Sequence, residues 1–165
     1  MSPACDQGVF TAVSKAKSVF FLESAYEEAY DLLLECREYI QIQVPEIRKH
    51  SSQAFRLTVN VETMRLTTRV TQCMAWLLTQ KAVFLEELAP SQASKHVYRL
   101  GAEKICLDQG AMDYDILPMQ LRRLLDRSLD LYRRIHHLDK QLAATERPPV
   151  PVRLEDRPGA MLTTV

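Results

Sequence analysis

The sequence predicts an all-α protein: an antiparallel three-helix bundle with a short extra helix in the second connection and a disordered C-terminal tail. Two observations carry this prediction. Only four of the 165 residues are glycine, and none falls within the three long stretches that run from Phe10 to Ile42, from Gln53 to Leu88 and from Pro118 to about Thr145. Within each stretch apolar residues recur at alternating three- and four-residue steps, the period of one face of a helix. The chain divides accordingly into a loose N-terminal end (1–9), a three-helix domain (10–144) and a Pro-rich tail (145–165).

The first helix places Leu22, Tyr26, Ala29, Leu33, Arg37 and Ile40 on one face, widened by Tyr30 and Leu34. Its other side is acidic: between Ser18 and Ile42, Glu23, Glu27, Glu28, Asp31, Glu35 and Glu38 stand against Arg37 alone. Val44-Pro45 is expected to stop this helix, because a residue before proline avoids helical angles. A polar connector runs from Ile47 to Ser52.

The second helix offers the seam Leu57, Val61, Met64, Thr68, Thr71, Ala75, Leu78, Ala82 and Leu85. Small and hydroxyl-bearing residues in it allow close packing, and a buried threonine can bond back to the carbonyl one turn earlier. Off that seam, Glu62, Arg65, Arg69, Gln72 and Trp76 share a second stripe. Arg and Trp are common interface anchors, so this stripe is a candidate partner surface. The competing reading pairs Arg65 and Arg69 with acids of the first helix and leaves Trp76 capping the core.

Pro90-Ser91 marks a turn, with Ser91 as N-cap of a short helix to about Leu100, ended by Gly101. Residues 102–113 are expected to be irregular or briefly helical, with Gly110 as a second break. Pro118 suits the first turn of the third long helix, whose seam is Leu117, Leu121, Leu124, Ser128, Leu131, Ile135, Leu138 and Leu142. This helix is basic, with Arg122, Arg123, Arg127, Arg133, Arg134 and Lys140 against Asp126, Asp130 and Asp139. It should therefore lie beside the acidic first helix, although each exposed pair contributes little. The tail begins Glu146-Arg147-Pro148-Pro149-Val150-Pro151 and reaches Met161-Leu162, a fray or a tether.

Several function classes lose support. The formal net charge is zero, giving no global pull toward nucleic acid or anionic lipid. Cys5, Cys36, Cys73 and Cys106 stand far apart with no C-x-x-C pair, which removes zinc-ribbon and thioredoxin readings. With no N-terminal signal peptide they are expected to be reduced thiols in a cytoplasmic protein. No apolar run is long enough to span a bilayer. Adjacent His136 and His137 point to different sides of a helix, and His50 and His96 lack a carboxylate at a telling offset, so no metal or cofactor is expected. Cys73 reads as a small buried hydrophobe, its reactive alternative depending on Arg69. DNA binding through Arg122, Arg123 and Arg127 is the rival functional reading, weakened by the interleaved aspartates and the absence of a short recognition turn.

Glu62-Thr63-Met64-Arg65-Leu66-Thr67-Thr68-Arg69-Val70, then Trp76-Leu77-Leu78 and Gln80-Lys81-Ala82-Val83, resembles the alphaproteobacterial RcdA family, the regulators of CtrA degradation. The resemblance continues at Arg99-Leu100-Gly101, Leu117-Pro118, Ser128–Arg134 and Leu138-Asp139, and covers most of positions 18–142. It implies a three-helix bundle, homodimeric and without catalytic activity. It further implies an adaptor of the ClpXP protease that joins a CpdR-like response regulator on ClpX and brings cell-cycle substrates to it. A PopA-like cyclic-di-GMP effector extends delivery to CtrA-like substrates. The resemblance places such a protein in the cytoplasm, concentrated at a cell pole.

Overall fold

A computed structural model of the chain describes residues 6–108 and 114–145, with side chains from 21 to 108 and from 114 to 144. The elements are α1 (Asp6–Glu38), a π-helical turn (Tyr39–Gln43), α2 (Val44–His50), α3 (Gln53–Phe84), α4 (Pro90–Ala93), a 3₁₀ turn (His96–Tyr98), α5 (Glu103–Cys106), a second 3₁₀ turn (Tyr114–Ile116) and α6 (Met119–Thr145). The all-α expectation holds, and there is no strand among the described residues. None of their helices is long and apolar enough to cross a membrane. The expectations for residues 1–5, for Gly110 and for the tail from Glu146 onward lie outside the described residues.

Val44-Pro45 does not stop the first helix. Val44 stays helical (φ −61°, ψ −42°), and Pro45 opens α2, where its missing N–H costs little. The π turn just before it is the adjustment that keeps the chain helical across a proline. The break comes instead at Ser51–Ser52. Ser52 is extended there, and its hydroxyl accepts from the Phe55 N–H at 3.3 Å as the N-cap of α3. The short helix after Phe84 is only α4, N-capped by Ala89 and not by Ser91.

Cross-chain contacts fix the directions of the long helices. Arg127 meets Glu35 and Arg134 meets Glu28, both at bidentate distances near 2.7 Å, so α6 runs antiparallel to α1. These pairs join the acidic and basic helices as their charges suggest. Arg69 reaches the Leu125 carbonyl and Trp76 reaches Asp139, so α6 runs parallel to α3. The parallel pair is therefore α3 and α6, consecutive long helices that would run oppositely in an up-down-up bundle. The long connection 85–118 makes it so, returning along the bundle before α6 begins.

The core is Ala25, Ala29, Leu32, Cys36 and Tyr39 from α1 and its π turn, then Val59, Leu66, Val70, Cys73, Trp76 and Leu77 from α3. Leu121, Leu124, Leu125, Leu131, Tyr132 and Ile135 complete it from α6. The α6 seam holds from Leu117 to Ile135, with Leu138 at the core's edge and Leu142 exposed. The α1 face is partly the expected one, with Ala29 buried and Leu22, Tyr26 and Leu33 packed against the core, but it is turned so that Ala25, Leu32, Cys36 and Tyr39 lie inside while Tyr30, Leu34 and Arg37 face out.

Candidate functional site

In α3 the two stripes exchange places. Leu57, Val61, Met64, Leu78 and Leu85 are exposed, Met64 at 71%, and Thr71 and Ala75 face out with them. Glu62, Arg69 and Trp76 are buried, Arg69 at 2%; Arg65 and Gln72 are half-buried. The cause is that α3 carries apolar side chains around its whole circumference, so spacing alone does not say which line faces inward. The threonine back-bonds do form, on both sides of the helix: Thr63 to the Val59 carbonyl at 2.6 Å and Thr68 to that of Met64 at 2.8 Å.

The inward polar stripe holds the connection 85–118 against the bundle. At one end, Arg65 Nη1 donates to both Glu62 carboxylate oxygens, at 2.6 and 2.7 Å, while Nη2 reaches Asp108 at 3.3 Å. One turn on, Arg69 Nε donates to the Cys106 carbonyl at 2.8 Å, Nη2 to the Asp108 carbonyl at 2.9 Å and Nη1 to the Leu125 carbonyl at 3.2 Å. Burial, then the neighbouring Arg65, holds this guanidinium below its ordinary pKa. Backbone carbonyls answer its charge where a carboxylate was expected from α1. Gln72 Oε1 accepts from the Gly101 N–H at 3.0 Å, and the Tyr132 hydroxyl donates to the Gly101 carbonyl at 2.7 Å. A Cβ at position 101 would sit 3.0 Å from that same Gln72 oxygen, so glycine provides the close approach.

At the far end Asp139, itself buried, accepts from Trp76 Nε1 at 2.8 Å and from both Arg99 Nε and Nη2 at 2.7 Å. Trp76 thus does help close the core, through a carboxylate of α6. Sequence spacing gives Asp139 and Arg99 no role beyond their place in the resemblance. No local pattern marks them, since the residues they join are 40 and 63 positions away.

The basic side chains of α6 do not form an open phosphate-tracking face. Arg127 and Arg134 bind Glu35 and Glu28, and Arg122 lies 3.6 Å from Asp115. Arg123 is exposed at the rim. Cys36, Cys73 and Cys106 are buried free thiols. Burial first pushes Cys73 up to about 12, with Cys106 adding to it, far from the thiolate a nucleophile requires. Among the described residues no group of three or more His, Cys, Asp or Glu side chains could hold a metal.

The surface that sequence spacing missed is the outer side of α3 and the adjoining edge of α1. Lys81 sits 4.9 Å above the Tyr26 ring, and Tyr26 stacks with the exposed Tyr30, linking the two helices on this side. Tyr30 and Leu34 on α1 and the Leu57–Leu85 line on α3 are exposed apolar side chains at helical spacing.

A family model described as a protein of unknown function (DUF1465) matches residues 14–158. No curated protein matches the chain. Among solved structures, the crystal structure of RcdA from Caulobacter crescentus CB15 is similar, with a TM-score of 0.61 and 32% sequence identity over 74% of this chain and 91% of that one. The family model spans most of the chain and the solved structure shares its fold and about a third of its residues, so the chain belongs to the RcdA family.

Proposed function

We propose that this chain is a non-catalytic adaptor. In the cytoplasm it joins a CpdR-like response regulator on ClpX and brings cell-cycle regulators such as a CtrA-like protein to the ClpXP protease, with a PopA-like cyclic-di-GMP effector extending its range. Membership of the RcdA family is the observation that carries this reading. An adaptor of this kind raises the local concentration of substrate at the protease through several weak contacts made together.

The outer face of α3 and α1 supports the same reading. A row of exposed Leu, Val and Met side chains on paired helices is what a helix-to-helix interface requires. We assign it to a second copy of the chain, with Met64 near its centre. Binding assays with immobilised ClpX test the adaptor reading: this protein should be retained only when the response-regulator primer is present. Retention that is independent of the primer, or none with it, contradicts the proposal. Sedimentation tests the assignment of the face. The wild-type chain should sediment as a dimer and Met64→Glu as a folded monomer; a monomeric wild type removes it.

A further inference from the structure

The apolar groove at one end of the bundle lies apart from the outer face and meets the inward polar stripe only at Trp76. It encloses about 940 Å³ between the start of the described side chains of α1, the end of α3 and the end of α6, with Phe21, Val83, Phe84, Leu88, Leu138 and Leu142 among its walls. Phe84 and Leu142 are exposed to 46% and 45%. Leu138, Gln141 and Leu142 supply the α6 wall, and α6 ends three residues later at Thr145. Residue 146 therefore follows the α6 wall of the groove by only four positions. The residues from there on are Glu146-Arg147-Pro148-Pro149-Val150-Pro151-Val152-Arg153-Leu154, and the family model continues through them to Pro158.

We propose that the segment Pro148–Leu154 docks in this groove and covers it. Three features favour this occupant. It is tethered beside the site, so its effective concentration there is of millimolar order, as for short linkers generally. Its prolines favour the extended polyproline conformation, which lowers the entropy lost on docking. With three residues per turn in that conformation, Pro148, Pro151 and Leu154 share one apolar side. Docking of this segment goes beyond the adaptor reading and stands on the groove and the residues after Thr145 alone.

Methyl-labelled NMR at low protein concentration tests it. The full chain should show contacts between the methyl groups of Leu154 and those of Leu142 or Leu88. A chain ending at Thr145 should show shifted Leu88, Val83 and Leu142 methyl signals, and a peptide of residues 146–165 added in trans should return them to their full-chain positions. In the full chain, Phe84→Ser, a change at an exposed side chain, should abolish the contacts while the core methyl signals stay in place. Superimposable spectra for the full and shortened chains would overturn the proposal. So would Leu88 and Leu142 methyl shifts that depend on protein concentration in a Met64→Glu chain, which would mean that a second copy fills the groove.

Discussion

Arg69 Nε donates to the carbonyl oxygen of Cys106, 37 residues further along the chain, at 2.8 Å. With the two further carbonyls bound by the same guanidinium, it fixes the connection 85–118 to α3 and to the first turns of α6. Arg69→Met should cost about 3 kcal/mol, because buried carbonyls lose a charged donor. Arg69→Lys should recover only part of this, since an ammonium cannot reproduce the fork of the guanidinium. Urea unfolding monitored by far-ultraviolet circular dichroism measures both; equal stability of Arg69→Met and wild type would refute the clamp.

Asp139 joins Trp76 to Arg99. Asp139→Ala leaves both donors without their carboxylate and should destabilise by roughly 3–5 kcal/mol, the usual cost of removing one partner of a buried pair. A double-mutant cycle with Arg99→Ala should give a coupling of more than about 0.5 kcal/mol. Additive effects would mean that Arg99 and Asp139 act separately.

Glu86 closes α3 in the left-handed region, with φ 61°, and the Glu87 N–H bonds back to the Ala82 carbonyl at 2.9 Å. Helices commonly end on such a residue, usually glycine, because a side chain there is strained by about 1–2 kcal/mol. Glu86→Gly should therefore raise stability by about 1 kcal/mol. A lowered melting temperature would contradict this.

Burial pushes the thiols of Cys36 and Cys73 up to about 12 from an ordinary 9.0. The folded state holds these protons more tightly than the unfolded state. The stability they contribute is fully present below pH 9.0 and is lost as pH rises toward about 12. Cys73→Ala should flatten the alkaline decline by about 1.4 kcal/mol per pH unit, the value for one proton. Parallel stability–pH curves for the variant and the wild type would argue against the buried thiol as a cause.

How much of this is legible in the sequence depends on how strongly each helix is polarised. In α6, charged residues occupy one side and leucines the other, so its seam from Leu117 to Ile135 and its partnership with α1 can be read directly. In α3, Leu57, Val61 and Met64 on one side match Val59, Leu66 and Val70 on the other. Periodicity identifies the helix and leaves its rotation undetermined, which is how the apolar line comes to be assigned to the wrong side. Glu62, Arg69 and Trp76 stand out because their types are unusual in a core. Arg69 and Trp76 answer groups of other elements, and Glu62 holds Arg65, which reaches Asp108 of the connection; sequence spacing does not disclose these distant partners. The parallel course of α3 and α6 is hidden for a related reason: it depends on where Cys106 and Asp108 lie, in a connection with little pattern of its own.

The adaptor role is tested most directly by reconstituted proteolysis. Purified ClpXP, a CpdR-like primer and a fluorescent cell-cycle substrate are combined with and without this protein at saturating concentration. Degradation should accelerate only when primer and protein are both present. A rate unchanged by the protein under those conditions would contradict the account.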